Sequence, residues 1–196
     1  MATNALAKAY AVCARITRRE ARNFYYAFAS LSRPQRRAIY ALYAFCREAD
    51  DCADGAPILG APSAGENVFD VLSVGAASGS SHLGARREGI ARLRERLAVA
   101  ADGRPTTERD LALADAIERF GVSPADLTDV IAGVEMDLTR TRYATFDDLR
   151  GYCYHVASAV GLATLPILNA GVPPTDAMRE HAIDLGLGMQ LSLIHI

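Results

Sequence analysis

A chain of 196 residues is long enough for one globular domain, or for part of a larger one. Hydrophobic residues make up 51% of it and charged residues 22%, which provides for an apolar core and excludes a wholly disordered chain. The formal net charge of −2 gives no overall attraction to nucleic acid, so any anionic ligand must be held by local groups.

The cysteines and the N-terminus indicate a cytoplasmic protein. The four cysteines form neither a CxxC pair nor a zinc-binding spacing, so we expect reduced thiols. No long apolar segment precedes a cleavage site at the N-terminus, and no signal peptide is predicted. The longest apolar stretch, residues 156–168, is too short to span a bilayer and contains Pro166, which we expect to break it.

Helical periodicity dominates the first quarter of the chain. A first amphipathic segment covers about residues 5–31. Ser32 and Gln35 then have the Ser-x-x-Gln spacing of a capping box, which predicts the start of a second helix. This helix is predicted to end at Asp54, because a glycine and then a proline follow it closely.

The rest of the chain is also predicted to be helical, after one long interruption. Residues 55–85 are rich in Gly, Ala, Ser and Pro and are interpreted as a loop or insertion. Helical patterning resumes at about residues 86–101. Strand-like alternation is nearly absent, so the predicted fold class is all-α. Further helices are marked by start signals at Thr107, Ser123, Thr145 and Thr175.

A pair of carboxylates carries the first indication of chemistry. Asp50 and Asp54 are one helical turn apart, so both project from the same face, and Arg47 joins that face. Mg²⁺ prefers carboxylate oxygens together with waters and substrate phosphates, and a guanidinium binds phosphate oxygens through its fork of donors. The spacing therefore indicates a divalent-metal site beside a phosphate contact. A solvated acidic helix end remains the alternative, because a DxxxD match is a weak motif.

Two other polar sets are interpreted as structural. The four histidines have no partner at metal-ligand spacing, and we expect them at the surface or in the core. Five arginines within residues 86–96 form a basic helix face, interpreted as solvated and interleaved with glutamates, with contact to anionic lipid as the alternative. These arginines are Arg86, Arg87, Arg92, Arg94 and Arg96.

Two long blocks resemble the squalene/phytoene synthase family. The first comprises Asn23-Phe-Tyr-Tyr-Ala-Phe28, the run from Gln35 to Arg47, and Asp50-Asp-x-x-Asp54-Gly55. The second comprises Met136-Asp-Leu138, Arg142-Tyr143, Tyr152-Cys-Tyr-x-Val-Ala157 and Val160-Gly161. Two blocks in the right order and spacing are far more specific than one acidic motif. The resemblance covers most of residues 16–54 and 108–191.

The resemblance implies an isoprenoid-synthase-type helical bundle around a central cavity. It also implies a Mg²⁺-dependent head-to-head condensation of two prenyl diphosphates, farnesyl or geranylgeranyl, to presqualene, squalene or phytoene-type products, with Mn²⁺ as an alternative metal. Nucleic acid is not an expected partner, and peripheral association with a membrane for product release is compatible with this function. The alternatives are a non-catalytic assembly or interaction factor with the same fold, and a terpene cyclase.

The resemblance further implies roles by position. Asp50 and Asp54 would be metal ligands and, together with Tyr152, catalytic residues, while Arg47 would contact diphosphate. A place on an apolar core stripe is the alternative for Tyr152 and for Val156, and Gly161 equally suits close helix packing. The implied substrate-binding residues besides Arg47 are Asn23, Val156, Ala157, Gly161 and Gln190.

The end of the chain departs from the family pattern. That pattern continues with an asparagine three residues after Gln190 and then a second acidic motif, but Leu193 stands at the asparagine position. Residues 191–196 match a translated sequencing adapter. We therefore interpret residues 1–190 as a partial isoprenoid-synthase domain, incomplete at the C-terminus, and the last six residues as an artefactual tail. We expect the chain to be inactive and to expose apolar faces such as that of residues 127–134.

Overall fold

The computed structural model describes residues 2–54, 79–140 and 142–194. Within these ranges the chain forms helices joined by turns and contains no β-strand, so the predicted all-α class is confirmed. A 3₁₀ turn, Phe28–Ser30, follows α2, and a π-helical segment, Tyr154–Ser158, joins α7 to α8. In chain order the α-helices are α1 (Ala2–Glu20), α2 (Arg22–Ala27), α3 (Arg33–Asp54), α4 (Gly79–Ala101), α5 (Glu108–Phe120), α6 (Pro124–Asp137), α7 (Phe146–Cys153), α8 (Ala159–Leu168) and α9 (Asp176–Ile194).

The helix starts that depend on local capping lie where the sequence predicts them. At α5, Thr107 Oγ1 accepts a hydrogen bond from the Asp110 amide at 3.2 Å, and the Asp110 carboxylate accepts one from the Thr107 amide at 3.0 Å. The side chains of Ser123 and Thr145 cap α6 and α7 in the same way. Gly121, with φ of 72°, ends α5 in the left-handed conformation that glycine adopts without strain.

The N-terminal segment differs from the prediction. The chain does not form one helix over residues 5–31, because it breaks at Ala21, whose φ and ψ are −140° and 68°. Beyond the break, the Tyr25 ring stacks on Tyr40 of α3 at 5.1 Å, and the Tyr40 hydroxyl donates to the Tyr25 carbonyl at 2.9 Å. The turn thus folds α2 onto α3, a tertiary contact that helical periodicity does not reveal.

Gln35 links the start of α3 to the end of α8. Ser32 Oγ donates to Gln35 Oε1 at 2.6 Å, and Gln35 Nε2 donates to the carbonyls of Ile167 and Leu168 at 3.0 and 3.2 Å. The helix begins where the Ser-x-x-Gln pattern predicts it. The glutamine amide, however, is used in a tertiary contact that satisfies carbonyls at a helix C-terminus.

The helix after the predicted loop begins earlier than expected. Residues 55–78 lie outside the described residues, but α4 starts at Gly79 rather than near residue 86, so the second part of the predicted loop over 55–85 is helical. The first turn of α4 is rich in glycine and serine, which have low helix propensity, so the sequence did not predict it as helical. The helix is stabilised by packing on α3, α5 and α6.

The predicted apolar stretch is part of a longer helix than the sequence suggested. Residues 146–168 run through α7, the π-helical segment and α8 as 23 continuous residues, long and apolar enough to meet the criteria for a membrane span. Pro166 lies inside α8 and does not break it. Helices in the core of a folded domain meet the same criteria, and Cys153, Leu162 and Ile167 of this helix are fully buried.

The core surrounds α3, which packs against α1, α4, α5, α6 and α8. The main apolar cluster joins side chains of α3, α4 and α6, among them Phe45, Ile90 and Ile131. The expectation that the apolar face of residues 127–134 would be exposed is wrong. Its members are buried at 0–5% exposure, because α6 packs on α3, α4 and α8.

An ion-pair network crosses from α3 to α4 and α5. Arg96 donates to the buried Glu48 at 2.6 Å and to the buried Asp110 at 2.6 and 3.1 Å, and Arg109 reaches Glu48 at 3.1 Å. The interpretation of Arg96 as part of a solvated basic face is therefore wrong. Its guanidinium is mostly buried between two carboxylates.

Candidate active-site cleft

A cleft of about 430 Å³ opens at the C-terminal end of α3. It lies between the last two turns of α3, the first part of α4, the end of α6 and α7, so four helices contribute its walls. Its lining residues are Arg47, Asp50, Ala53, Asp54, Arg86, Val134, Asp137 and Tyr152. The cleft thus brings together Arg47 and the aspartate pair from the first sequence block with Tyr152 from the second.

Arg47 is oriented by an acid that the sequence analysis did not single out. Its Nη2 pairs with the Oδ1 atom of the buried Asp51 at 2.6 Å, one helical turn further along α3. Burial alone would lower the pKa of Arg47, but Asp51 and Glu20 outweigh it, so the pKa is raised. The i,i+4 spacing of an Arg and an Asp was the available signal for this pair. Arg47 Nε is buried, and no group in the described part of the chain forms a hydrogen bond with it.

Asp50 has a perturbed carboxyl. Burial against the cleft walls raises its pKa to about 6, Arg47 opposes the shift, and the charges of Asp54, Asp51 and Asp137 add to it. The side chain remains exposed through the open mouth of the cleft. Partial desolvation and neighbouring carboxylates both disfavour the ionised form of Asp50. A bound cation would stabilise that ionised form, and this is the electrostatic condition for a metal site.

Tyr152 and Asp137 form a hydrogen-bonded pair across the cleft from α3. Tyr152 donates to the Asp137 carboxylate, and its ring packs against Tyr143 at 5.0 Å. Burial raises the pKa of Asp137, the Tyr152 hydroxyl opposes this, and the Asp54 charge adds to it. Burial and Asp137 raise the pKa of the Tyr152 phenol far above its ordinary value. Tyr152 is therefore a hydrogen-bond donor at neutral pH and not a phenolate base.

Arg86 is the second guanidinium of the cleft. Its Nη2 donates to the Asp54 main-chain carbonyl at 3.3 Å, at the C-terminal end of α3. Its Nε is buried and has no hydrogen-bond partner among the residues that the structure describes. The interpretation of Arg86 as part of a solvated face is wrong, because α4 begins before it and directs this position at the end of α3. The charge pattern of α4 carried no signal that distinguished Arg86 from its neighbours.

The acids of the cleft suit a metal that shares its ligands with a substrate. Across the described ranges, no group of three His, Cys, Asp or Glu side chains is already assembled around a metal position. Mg²⁺ does not require one, because it keeps several waters and is held by one or two carboxylates plus phosphate oxygens. Asp50 and Asp54 match that donor set, with Asp137 on the facing helix. Asp137 belongs to the quoted Met-Asp-Leu block, but the sequence assigned it no role.

The other predicted substrate-binding residues do not line this cleft. Asn23 is exposed on α2, and Gln190 is partly buried on α9. Val156 and Ala157 are partly buried in the π-helical segment. Val156 packs closely against Gly133 of α6, where an added Cβ would lie 2.9 Å from Val156 Cγ1. Their substrate contacts remain predictions.

Gly161 has a packing role that the sequence analysis left open. A Cβ at this position would lie 3.3 Å from the Ala182 carbonyl oxygen of α9. Packing is even closer at Gly186, where a Cβ would lie 2.6 Å from Ser158 Cα. Ser158 Oγ also donates to the Ile183 carbonyl at 2.7 Å, so α9 is held close against the π-helical segment and α8.

A helical fold with carboxylates and guanidiniums gathered at the end of a central helix defines a class of protein suited to a phosphorylated, metal-bound ligand. The squalene/phytoene synthase family model matches residues 17–195. The chain belongs to this family, and the resemblance inferred from the sequence is confirmed. The match continues into residues 191–195, and the interpretation of that tail as artefactual remains a prediction.

Among curated relatives, 15-cis-phytoene synthase from Synechocystis is 35% identical over 95% of this chain and 51% of its own length. Phytoene synthase 2 from Solanum lycopersicum is 33% identical over 96% of this chain and 54% of its own length. The chain thus spans about half the length of the curated relatives it matches.

Two solved structures share the fold. A dehydrosqualene synthase in complex with ligand has a TM-score of 0.70 and 28% identity, over 99% of this chain and 58% of that one. A squalene synthase from Alicyclobacillus acidocaldarius has a TM-score of 0.73 and 25% identity, over 97% of this chain and 63% of that one. These similarities confirm the predicted isoprenoid-synthase-type helical fold.

Proposed function

We propose that this chain provides the diphosphate cleft and the first metal-binding motif of an enzyme that condenses two prenyl diphosphates head to head. One observation carries the proposal. Arg47, Asp50, Asp54 and Tyr152, assigned to a site from two separate sequence blocks, line a single cleft. Membership of the squalene/phytoene synthase family supports the same reaction class.

Each residue of the cleft has a role that follows from its chemistry. Asp50 and Asp54 would hold Mg²⁺ or Mn²⁺, which supplies charge neutralisation for the departing diphosphate. Arg47, anchored by Asp51, offers its free Nε–H to a phosphate oxygen. Tyr152 donates a hydrogen bond at the facing wall.

The apolar part of the wall complements these groups. Ala53 and Val134 line the cleft between the acidic side chains, and neither side chain competes for a proton or a cation. Apolar walls that exclude water protect an allylic cation from premature hydrolysis. We propose farnesyl or geranylgeranyl diphosphate as substrate, with presqualene, squalene or phytoene-type products, since the relatives are named as phytoene, squalene and dehydrosqualene synthases.

The experiment compares two proteins, the 196-residue chain and the product of the whole open reading frame in which it lies. Each is incubated with Mg²⁺ and labelled farnesyl or geranylgeranyl diphosphate, and the products are identified. We expect the whole product to release diphosphate and to form a condensed product from two substrates. We expect the 196-residue chain to be inactive, because it spans about half the length of its relatives.

The variants Asp50→Asn and Asp54→Asn provide the controls. Each should abolish product formation by the active protein while leaving its helical circular dichroism unchanged. Products made from a single substrate would instead indicate a terpene cyclase. A folded whole product that consumes neither substrate would favour the non-catalytic assembly factor. A cytoplasmic location, with peripheral membrane contact for release of an apolar product, is part of the proposal.

A further inference from the structure

The cleft contains a second guanidinium, that of Arg86, which neither the sequence pattern nor the family match assigns to the site. We propose that Arg86 is a second diphosphate-binding residue, which acts with Arg47 on the same ligand from a different helix. The inference rests on the proposed function for the identity of the ligand. It rests on the structure for the position of the residue and for its unused hydrogen-bond donor.

The guanidinium of Arg86 is held at the end of α3 with one donor unused. Arg86 Nη2 donates to the Asp54 carbonyl at 3.3 Å, which holds the side chain at the end of α3 beside a predicted metal ligand. Within the described ranges, Arg86 Nε is buried and lacks a hydrogen-bond partner, as does Nε of Arg47 in the same cleft. A buried donor of a charged group is costly to leave unpaired, so both arginines retain a donor for a ligand.

Three other arginines of α4 are already paired with carboxylates, whereas the neighbouring Arg87 is exposed and lies outside the cleft. Arg92 pairs with Glu88 at 2.7 Å, Arg94 with Glu135 at 3.0 Å, and Arg96 with the buried acids of the network. The contact of Arg86 with α3, by contrast, is to a main-chain carbonyl, and no carboxylate of the described residues pairs with its guanidinium. A role as a helix cap alone would occupy Nη2 and would not account for the buried Nε.

The charge of the cleft is compatible with a diphosphate ligand once a metal is bound. Among the described residues, three carboxylates and two guanidiniums line the cleft, and the buried Asp51 pairs with the guanidinium of Arg47. Four carboxylates against two guanidiniums give a net charge of −2, which a single divalent cation would cancel, so that the repulsion of a diphosphate anion is removed. Two guanidiniums from different helices then contact separate oxygens, since Arg binds phosphate through charge-assisted hydrogen bonds of fixed direction.

The test measures binding of inorganic diphosphate, in the presence of Mg²⁺, to the product of the whole open reading frame by isothermal titration calorimetry. Arg86→Ala should weaken diphosphate binding by about tenfold or more, the range expected for loss of a hydrogen bond to a charged group. Arg86→Lys should restore part of the loss, because it keeps the charge but not the fork of donors. The matched control is Arg87→Ala, an exposed neighbour outside the cleft, which should bind as the wild type does.

Two further measurements separate the possible outcomes. Thermal unfolding checks that the variants are folded, and Mn²⁺ binding without diphosphate, followed by electron paramagnetic resonance, should be the same in Arg86→Ala and wild type. If Arg86→Ala binds diphosphate as tightly as Arg87→Ala does, or loses Mn²⁺ affinity to the same degree as diphosphate affinity, the inference is wrong and the proposed function stands. Failure of the folded wild type to bind diphosphate with Mg²⁺ would overturn both.

Discussion

Asp50 shows at the scale of one residue how a binding site opposes stability. The cleft raises its pKa to about 6, because burial against the walls and the neighbouring acids outweigh Arg47. The folded chain therefore holds this proton more tightly than the unfolded chain does. It follows that the contribution of Asp50 to stability falls as pH rises from about 4 to about 6 and stays low above that range.

Replacement of Asp50 by Asn should stabilise the metal-free chain at pH 7.5. We expect a gain of about 1 kcal/mol, smaller than the pKa shift alone implies, because the side chain is exposed at the cleft mouth and screened by solvent. Urea unfolding at pH 7.5 and at pH 4 measures the free energy of unfolding of both proteins. The difference between the variant and the wild type should be smaller at pH 4. Mg²⁺ should stabilise the wild type and not the variant. A variant less stable than wild type at pH 7.5 would contradict this account.

Tyr152 contributes a donor and not a base, and its substitution by Phe tests that assignment. We expect turnover by the product of the whole open reading frame to fall on the order of 100–1,000-fold, as for loss of one oriented donor in an active site. Tyr143→Phe is the matched control, since the Tyr143 hydroxyl is buried beside the Tyr152 ring and has no hydrogen-bond partner in the described ranges. Steady-state rates at saturating substrate compare the two, and equal losses would show that ring packing, not the hydroxyl of Tyr152, matters.

At the scale of the helices, the ion-pair network holds α3, α4 and α5 in register beside the cleft. Burial alone would raise the pKa of Asp110, but hydrogen bonds from Arg96, Thr107 and Thr106 hold it below its ordinary value. A lowered pKa means that this contribution to stability is present above about pH 4 and is lost as pH falls through the folded-state pKa. The network therefore makes the helix assembly sensitive to acid.

Replacement of Arg96 by Met should destabilise the chain by about 3–5 kcal/mol, because Glu48 and Asp110 remain buried with too few partners. Urea denaturation followed by circular dichroism measures the change, and the loss should be smaller at acid pH. Arg92→Met is the matched control on the same helix. Its partner Glu88 is exposed, so we expect a change within about 0.5 kcal/mol. A similar loss for both variants would show that the buried geometry is unimportant.

At the scale of the whole molecule, α9 carries an apolar stripe on its outer side. Leu185, Met189 and Leu193 follow one another at i,i+4 spacing and are 65%, 58% and 66% exposed. The exposed apolar surface that was expected of this chain thus lies on α9 and not on the buried face of α6.

Self-association of the 196-residue chain should depend on this stripe. We expect Leu185→Lys to reduce the concentration-dependent increase in mass measured by size-exclusion chromatography with light scattering. The matched control is Glu180→Gln, which changes the net charge by the same amount at an exposed position on the opposite side of the same helix. Equal reduction by both variants would attribute the effect to net charge instead.

Features that are set within one or two helical turns could be predicted from the amino-acid sequence. The starts of α5, α6 and α7 followed from capping at Thr107, Ser123 and Thr145, because a cap satisfies main-chain donors of its own helix. The shared face of Asp50 and Asp54 followed from the helical repeat in the same way. The sequence blocks around them were also sufficient to identify the family.

Other features were decided only by the tertiary structure. The break at Ala21 and the early start of α4 are supported by packing on α3, and Arg86 and Asp137 reach the cleft from helices far away in the chain. The raised pKa of Asp50 depends on the same neighbours. Desolvation, charge and close packing act between residues that are close in space. The positions of these residues in the sequence do not reveal that they are close. The paired carboxylates were thus readable from the sequence, whereas the cleft that surrounds them was not.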